Sequence, residues 1–336
     1  MAQEIPPALT THLAALEEAL QLRLSSGPEA LIANSRYVMG WQDPQGRVLE
    51  TGGKRLRPAL CLFAAGLFAD DAAVAMPGAV AVELIHNFSL VHDEVQDHDA
   101  ERHHRPTIWA LHGEGQAINA GDFLVTRAFA ALLDAPGPAD RRLAALNVLN
   151  EAMARMIAGQ WSDIDFESRE NVSPEEYLAM IRGKTGALLG APLAMGALLA
   201  GATAEQAVAL QEWGETVGLA FQVQDDYLGI WGDPDLTGKS NTNDIVRKKK
   251  TLPIVFGLTN ERNGVIAERY ALADLDEGAV RDVVTELEAC GAPGFVRDEG
   301  ARLVDSADDM LSEFELPAAS RESLREIGRY LVDRDR

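Results

Sequence analysis

The chain has 336 residues and a net charge of −22 at pH 7, because 52 acidic side chains outnumber 30 basic ones. Such an acidic surface disfavours nucleic acids and anionic membranes as partners, since both repel a negative protein. The two cysteines, Cys61 and Cys290, lack the spacing of a metal or redox site, which fits a reducing cytoplasm as the predicted location.

The hydrophobic pattern is helical almost throughout. Apolar residues recur at helical spacing from residues 9–16 to residues 327–332, and alternating strand patterns are scarce. No Ser-, Gly- or Pro-rich linker and no internal repeat interrupts this pattern. We therefore predict an all-α fold that forms a single domain over residues 1–336. No signal-peptide pattern and no uninterrupted apolar stretch of membrane-spanning length is evident, so we predict no stable membrane insertion.

The first segment with a chemical signature is Gly52 to Pro58, which reads Gly-Gly-Lys-Arg-Leu-Arg-Pro. Its two glycines make a flexible turn, and Lys54, Arg55 and Arg57 supply three cations. Such a loop is able to approach an anion with both its backbone and its side chains. For this segment alone, a Gly-Gly turn beside solvated cations is the plainer alternative.

The next signature is acidic and follows an apolar helical run at residues 82–92. Asp93 and Asp97 are four residues apart, with Glu94 between them, so the two aspartates are expected on one helix face. Two carboxylates there repel each other unless a cation lies between them, and oxygen ligands are what magnesium prefers. A solvated acidic helix end is the competing interpretation.

A second acidic pair, Asp225 and Asp226, follows an apolar helical stretch, where burying charge without a partner is costly. Further cations follow the acidic segments: Arg102, Arg105, Lys184, Lys239 and the run Arg247 to Lys250. Carboxylates that hold a metal and cations that contact phosphate directly are the two kinds of ligand that a diphosphate site needs. The sequence therefore predicts a cleft that binds a diphosphate through magnesium.

These segments, in this order, resemble those of the trans-isoprenyl diphosphate synthases, the polyprenyl synthetase family, across nearly the whole chain. The matching segments are Gly52 to Pro58, His86 to Thr107, Asn119 to Asp122, Gly159-Gln160, Lys184 to Gly186, Phe221 to Asp226, Gly232-Asp233 with Gly238-Lys239, and Lys249 to Pro253. The resemblance implies an all-α, single-domain helical bundle of the isoprenoid synthase type around a deep central cavity, and it implies a homodimer.

The resemblance also implies a role for each matching residue. Magnesium, as three ions per site, is expected on Asp93, Glu94, Asp97, Asp225 and Asp226. Isopentenyl diphosphate is expected on Lys54, Arg57 and His86, although a lone histidine on an apolar helix is more often a core residue. The allylic diphosphate is expected on Arg102, Lys184, Lys239 and Lys249, while Thr185 and Gln222 are expected to line the reaction site.

Three positions depart from the family pattern. Glu94 stands where the family usually has Asp, which keeps a carboxylate on a longer stem. His103 stands where a second Arg ordinarily reaches isopentenyl diphosphate, and histidine does not reproduce the bidentate guanidinium; Arg105 is a candidate to compensate. Gly229 replaces the last Asp of the second motif, which we interpret as a subfamily variation.

The implied reaction is the elongation of a dimethylallyl, geranyl or farnesyl diphosphate. The allylic diphosphate ionises because its cation is delocalised and because magnesium and protein cations stabilise the departing diphosphate. The double bond of isopentenyl diphosphate then attacks, and loss of a proton completes the five-carbon extension. Phe88, five residues before Asp93, occupies a position that often forms the floor of the product tunnel in the family. A bulky floor predicts the twenty-carbon geranylgeranyl diphosphate, with fifteen-carbon farnesyl diphosphate as the alternative.

Two other functions fit the same scaffold. A class I terpene cyclase also ionises an allylic diphosphate, but it has no use for Lys54, Arg57 and His86. A non-catalytic partner subunit of another prenyl synthase would be expected to lose metal ligands, whereas at least four carboxylates remain here. The departures at His103 and Gly229 keep this last interpretation open.

Overall fold

The computed structural model describes residues 5–49, 53–232, 242–260 and 264–332, and most of them are helical. In chain order the first helices are α1 (Pro7–Thr10), α2 (Leu13–Arg23), α3 (Glu29–Val38), α4 (Leu56–Gly66), α5 (Met76–Gln96), α6 (Ile108–His112), α7 (Glu114–Leu133), α8 (Ala139–Ser168), α9 (Pro174–Ile181), α10 (Ala187–Ala200) and α11 (Ala204–Trp231). They are followed by the helices Asn243–Val246, Leu252–Thr259, Gly264–Tyr270, Glu277–Ala289, Ala292–Glu313 and Ala318–Val332. The predicted all-α fold is confirmed.

Three short elements interrupt this helical order. A 3₁₀ turn at Ala72–Ala75 precedes α5, and a π-helical turn at Arg182–Gly186 joins α9 to α10. The strands β1 (Glu101–Arg102) and β2 (Arg105–Pro106) form one antiparallel hairpin. Both the π-helical turn and the hairpin carry residues of the predicted site.

The chain divides into two compact units. The N-terminal unit comprises Pro7–Glu151 and Ala191–Gln211, and the C-terminal unit comprises Met1–Pro6, Ala152–Gly190 and Glu212–Arg336. The basic segment and the first acidic motif belong to the N-terminal unit, whereas the second acidic motif belongs to the C-terminal unit. The single domain over residues 1–336 and its central cavity remain predictions.

Helix α5 is the core of the N-terminal unit, because its apolar side chains are buried on most sides of the helix. Two glycines bring other helices close to their neighbours. A Cβ atom added at Gly196 of α10 would lie 1.9 Å from the carbonyl oxygen of Cys61 on α4. A Cβ atom at Gly121 of α7 would lie 2.4 Å from the ring of His92 on α5. The absence of a side chain at each position therefore permits backbone-close packing.

In the C-terminal unit, α9 begins with a capping box. The Ser173 hydroxyl accepts the Glu176 N–H, and the Glu176 carboxylate accepts the Ser173 N–H, which satisfies two backbone donors at the helix start. The core that follows combines α9, α11 and two later helices, through the buried residues Tyr177, Ile181, Leu219, Val223, Leu252 and Val296. This core holds Tyr177 against the second acidic motif.

Two helical stretches, Ala72–Gln96 and Pro174–Ala200, are long and apolar enough to cross a membrane by length and composition alone. Their apolar windows are 67% and 78% buried inside the protein, and buried core helices pass the same test. Neither stretch is uninterrupted, since Glu83 lies in the first and Lys184 in the second. The absence of membrane insertion remains a prediction.

Candidate active site

The first acidic motif lies at the C-terminal end of α5. Asp93 belongs to its last turn, and Asp97 caps the helix, with its N–H bonded to the Asp93 carbonyl at 2.8 Å. Both aspartates therefore lie at the end of the predicted helix, and their role as metal ligands remains a prediction. A helix C-terminus carries partial negative charge, so carboxylates there are unfavourable without a cation. Burial raises the pKa of Glu94 to about 7, and the nearby charges of Asp99 and Asp93 add to that rise.

These donors fit magnesium when substrate oxygens complete the coordination. Carboxylates at the negative end of a helix, of which Glu94 is buried and Asp93 and Asp97 are partly exposed, are stabilised by a bound divalent cation, and carboxylate oxygens are the ligands that magnesium prefers. Among the residues that the structure describes, no group of three or more His, Cys, Asp or Glu side chains is arranged to hold a metal ion by itself. Magnesium commonly takes one or two protein carboxylates and fills its remaining positions with water and phosphate oxygens.

Arg102 lies beside this motif on β1. Its Nε is 3.8 Å from the Glu94 carboxylate, and this buried Nε has no hydrogen-bond partner within the described residues. The arrangement brings one guanidinium next to the acidic residues, as the resemblance implies. Arg102 is therefore suited to contact a phosphate that is also held through metal.

The hairpin also carries His103, the residue that stands in place of the family's second arginine. His103 lies at its exposed tip, where both turn residues, His103 and His104, have positive φ angles of 50° and 59°. The Arg105 guanidinium donates to the carbonyls of Tyr37 at 3.2 Å and Gln42 at 2.9 Å, and it lies 4.3 Å from the centre of the Tyr37 ring. Arg105 thus fastens the 37–42 segment to the hairpin. This geometry argues against the suggestion that Arg105 compensates for His103.

The basic segment brings one of its two predicted ligands, Arg57, to α5. Arg57, in the first turn of α4, places Nη1 3.3 Å from Nε2 of His86, while Lys54 is exposed. Burial, and then the guanidinium groups of Arg57, Arg102 and Arg55, holds the pKa of His86 well below its usual range. The imidazole is therefore neutral and accepts the hydrogen bond from Arg57. The positive charge that this segment offers to an anion therefore comes from Arg57 and Lys54, and the neutral His86 orients the Arg57 guanidinium.

The third cation of this segment behaves differently from the sequence prediction. Arg55 does not present its guanidinium for an anion, because it is only 6% exposed and is ion-paired with Glu17 at 2.6 Å and Glu83 at 2.8 Å. The prediction of three phosphate-facing cations is wrong for this residue. The reason is long-range, since both carboxylates lie outside the basic segment.

The second acidic motif lies on α11 and its two carboxylates differ. Asp226 is 4% exposed and accepts three hydrogen bonds: from the Tyr177 hydroxyl at 2.6 Å, the Leu252 N–H at 3.0 Å and the Gln222 amide at 3.1 Å. Burial raises the pKa of Asp226 to about 7, although these hydrogen bonds oppose the rise. Asp225 is partly exposed. Of the two, Asp225 has the more accessible oxygens for a metal ion.

The π-helical turn carries the predicted Lys184 and Thr185. The Thr185 hydroxyl donates to the Gln222 carbonyl oxygen at 3.2 Å, and Gln222 in turn donates to Asp226. The Lys184 ammonium donates to the Asp163 carboxylate at 2.5 Å. Thr185 and Gln222 thus lie beside the second acidic motif, and their place at the reaction site remains a prediction. Sequence reasoning missed Asp163, although it lies one helical turn after Gly159-Gln160, a segment that already supported the resemblance.

A second residue was also missed near Gly229. A Cβ atom added at Gly229 would lie 3.2 Å from Oδ2 of Asp244, on the helix Asn243–Val246. A carboxylate therefore lies beside the position whose own Asp is absent. No spacing in the sequence connects Asp244 with Asp225, because the neighbourhood depends on the path of the chain between them.

The remaining predicted residues have mixed outcomes. Lys239 lies outside the described residues, and Lys249 is partly exposed at the end of the basic run. Its neighbour Lys248 donates to the backbone carbonyls of residues 272–273, which assigns that lysine to structure. Phe88 is buried and packs edge-to-face against His92, with ring centres 4.6 Å apart. Phe88 therefore takes part in core packing, and its role at a tunnel floor remains a prediction.

Comparison with known proteins supports the resemblance to the polyprenyl synthetase family over most of the chain. A family model described as polyprenyl synthetase matches residues 41–287. A (2E,6E)-farnesyl diphosphate synthase from Mycobacterium tuberculosis is 42% identical over 307 residues, which covers 89% of this chain and 84% of the relative.

Solved structures agree with these sequence matches. A polyprenyl synthetase from Streptomyces coelicolor A3(2) superposes with a TM-score of 0.91 at 35% identity, covering 98% of this chain and 100% of that one. A geranylgeranyl pyrophosphate synthase from Corynebacterium glutamicum, complexed with isoprenyl diphosphate and magnesium, gives a TM-score of 0.82 at 25% identity, covering 99% and 100%. With its two acidic motifs and basic segment in the expected order, the chain belongs to the polyprenyl synthetase family.

Proposed function

We infer that the protein is a short-chain trans-prenyltransferase, which joins isopentenyl diphosphate to an allylic diphosphate. Relatives named farnesyl and geranylgeranyl diphosphate synthases support this activity. The observation that favours elongation over cyclisation is the contact of Arg57 with His86, since Arg57 belongs to the same basic segment as the exposed Lys54. An elongating enzyme needs such a second anion site for isopentenyl diphosphate, whereas a cyclase ionises only one diphosphate.

Magnesium is the proposed cofactor, as three ions per site. The proposed ligands are the carboxylates of both acidic motifs: Asp93, Glu94, Asp97, Asp225 and Asp226. The magnesium-bound structure of the Corynebacterium relative supports the choice of metal. When bound, the ions neutralise charge on the leaving diphosphate.

The protein's own cations have two tasks in this reaction. Arg102, Lys184, Lys239 and Lys249 stabilise the allylic diphosphate as its carbon–oxygen bond breaks and the electron pair leaves with the oxygen. Lys54, Arg57 and His86 hold isopentenyl diphosphate, whose double bond attacks the allylic cation before a proton is lost. His86 accepts from one guanidinium N–H and so orients the remaining donors of Arg57. The reaction also requires an apolar tunnel that keeps water from the cation.

The product proposed is the twenty-carbon diphosphate, with the fifteen-carbon diphosphate as the alternative. A bulky Phe88, packed against His92 and therefore restricted in its rotation, is suited to stop a growing chain. The farnesyl diphosphate synthase from Mycobacterium tuberculosis supports an early stop. The geranylgeranyl synthase from Corynebacterium supports one further extension.

A homodimer is proposed because the resemblance implies it and α8 carries an exposed apolar row. Ile157, Trp161 and Ile164 are 49%, 77% and 41% exposed, and their spacing of four and three residues places them on one helix face. Exposed apolar patches of this kind are typical of protein interfaces. Sedimentation velocity should give a dimer for the wild type and a weaker dimer for Trp161→Glu. A wild-type monomer at micromolar concentration would contradict the proposal.

The proposed environment is the cytoplasm, without stable membrane insertion and without nucleic acid as a partner. The net charge of −22 supports the last point, since a polyanion would be repelled. Fractionation of producing cells should leave the protein in the supernatant after ultracentrifugation, and retention in a carbonate-washed membrane pellet would contradict the assignment.

One assay tests the function directly. Purified protein is incubated with magnesium, isopentenyl diphosphate and dimethylallyl, geranyl or farnesyl diphosphate in turn, and the products are sized by mass spectrometry. Elongated diphosphates are expected, up to twenty carbons. Cyclic hydrocarbons formed without consumption of isopentenyl diphosphate would identify a cyclase, and turnover only after addition of another synthase would identify a partner subunit.

A further inference from the structure

Arg55 lies between Lys54 and Arg57, which are assigned to isopentenyl diphosphate, but its own guanidinium is hydrogen-bonded to other groups of the protein. Nε donates to Glu17 at 2.6 Å, Nη1 to Glu83 at 2.8 Å and Nη2 to the carbonyl of Met39 at 3.0 Å. These partners come from α2, from α5 and from the residue that ends α3. All three nitrogens of the guanidinium therefore bond to protein, which leaves Arg55 no role as a phosphate ligand.

The backbone at Arg55 is also unusual. Its φ angle of 48° lies in the left-handed region, which a non-glycine residue adopts only when its surroundings hold it there. Its carbonyl accepts the Ala59 N–H at 3.0 Å, so Arg55 caps the start of α4. The direction in which the chain leaves Lys54 and enters the turn that carries Arg57 is set at this residue.

Two contacts fasten this segment to a single turn of α5. Arg55 pairs with Glu83, and Arg57 contacts His86 three residues later. Residues three apart on a helix are neighbours on its surface. The Glu83 carboxylate also accepts the Asn87 amide at 3.1 Å, which restricts its orientation. The Arg55–Glu83 ion pair and the Arg57–His86 contact thus both depend on the same turn of α5.

Charge gives Arg55 a second effect. Glu83 is only 4% exposed, and a buried carboxylate needs a cation. Arg55 supplies it. Without that pairing, the neighbouring cations Lys54 and Arg57 are the next candidates to neutralise Glu83, and they would then be drawn from an anion. Pairing Arg55 with Glu83 keeps that carboxylate from competing for Lys54 and Arg57.

We propose that Arg55 is a positioning residue for the isopentenyl diphosphate site, acting through Glu83 to keep Arg57 beside His86 and through its left-handed backbone to set the direction of the chain from Lys54 to Arg57. The proposal rests on the proposed function. It assigns Arg55 no contact with substrate. Its consequence is selective, because loosening this support affects isopentenyl diphosphate and leaves the allylic substrate bound as before.

The test uses two variants. Glu83→Gln keeps the size of the side chain and removes its charge. Arg55→Lys keeps the positive charge and removes the branched guanidinium that bonds several partners at once. The KM for each substrate is measured with the other saturating, and isopentenyl diphosphate binding is measured by calorimetry. Loss of a charge-assisted support predicts a rise of about 10-fold in the KM and Kd for isopentenyl diphosphate. The KM for the allylic diphosphate should change less than about 2-fold.

The matched control is Glu215→Gln, which removes the charge of another buried carboxylate, paired with the partly exposed Arg155 at 2.5 Å. It should lower the thermal midpoint in the same way and leave the KM for isopentenyl diphosphate unchanged. An unchanged KM and Kd in folded Glu83→Gln would overturn the proposal, and so would equal rises for both substrates or an equal rise in the control. If Arg55→Lys does not fold, the isosteric Glu83→Gln decides.

Failure of the proposed function would look different. A wild type that binds isopentenyl diphosphate but forms no elongated product would remove the prenyltransferase activity. The calorimetric comparison between wild type and Glu83→Gln would still decide the role of Arg55. A wild type that binds no isopentenyl diphosphate would overturn both.

Discussion

Nη1 of Arg57 lies 3.3 Å from Nε2 of His86, and because a guanidinium only donates, the imidazole nitrogen must accept. A neutral imidazole is also what burial and the surrounding guanidinium groups favour. The pair therefore couples a permanent cation to a group whose protonation depends on pH. Protonating His86 would remove the hydrogen bond and add charge repulsion.

This coupling predicts how stability depends on pH. The pKa of His86 is lowered in the folded protein, whereas an unfolded histidine has a pKa of about 6.5. Between these two values the unfolded state binds more protons at His86. The contribution of His86 to stability is therefore fully present above pH 6.5 and is lost as pH falls towards the folded pKa. Lowering the pH from 7.5 to 5.5 should therefore lower the thermal midpoint of the wild type more than that of His86→Gln. His112→Gln, at an exposed histidine, is the control and should behave like the wild type. Equal pH slopes for the wild type and His86→Gln would contradict this account.

The two carboxylates of the second motif should separate in their effects. Asp225→Asn is expected to slow turnover by about 1,000-fold or more, as loss of a metal ligand does, while leaving the thermal midpoint nearly unchanged. Asp226→Ala should also lower stability by about 3 kcal/mol, because it leaves the buried Tyr177 hydroxyl and Leu252 N–H without an acceptor. Steady-state rates and calorimetric unfolding measure the two effects. Near wild-type turnover in Asp225→Asn would remove that residue from the site.

Product length should respond to Phe88. Its ring packs against His92 in the N-terminal unit, and Phe88→Ala removes bulk where the resemblance expects the tunnel floor. Products longer than those of the wild type are expected when chain lengths are measured by mass spectrometry. Phe123→Ala removes a ring of the same size elsewhere, where it contacts Arg127, and should leave product length unchanged. An unaltered distribution in Phe88→Ala would exclude it from the floor.

The hairpin residues make a paired prediction. His103→Arg restores the cation that the family ordinarily has and should lower the KM for isopentenyl diphosphate by about 3- to 10-fold, as one added charge-assisted contact does. Arg105→Gln should instead lower the thermal midpoint, because Arg105 supports the carbonyls of Tyr37 and Gln42. Its effect on KM should be small. If Arg105→Gln raised the KM for isopentenyl diphosphate while His103→Arg changed nothing, Arg105 would be the substrate ligand after all.

Helical periodicity and motif spacing predicted much of this molecule because they are local properties. A run of apolar residues ending in Asp93 and Asp97 specifies both a helix and a pair of carboxylates at its end, and the structure has both. The hydrogen bond between Thr185 and Gln222 was not predicted, because the resemblance implied only that both residues line the reaction site.

Contacts between distant segments could not be predicted in this way. Which cation of the basic segment turns inward depends on Glu17 and Glu83, which are 38 and 28 residues from Arg55. Neither carboxylate has a spacing that marks it as a partner. The same holds for Asp163, whose pairing with Lys184 requires a π-helical turn that local propensity does not encode.

That turn leads to the last prediction. A Cβ atom added at Gly159 of α8 would lie 2.4 Å from the backbone nitrogen of Lys184, too close for either backbone to stay in place. Gly159→Ala should therefore displace the turn that carries Lys184 and Thr185, lowering kcat by at least about 10-fold and stability by about 1–3 kcal/mol. The rate should fall even in the fraction that remains folded, since the displaced lysine carries the charge proposed to stabilise the allylic diphosphate.

Gly115 of α7 offers a matched control, because a Cβ there meets nothing within 4 Å. Gly115→Ala should leave turnover unchanged and should raise stability slightly, by up to about 1 kcal/mol, through the better helix propensity of alanine. Steady-state kinetics and thermal unfolding of both variants compare the same chemical change at a crowded and an open position. Wild-type kcat in Gly159→Ala would mean that the π-helical turn tolerates displacement. It would also mean that the contact between Gly159 and the backbone of Lys184 does not set the position of Lys184.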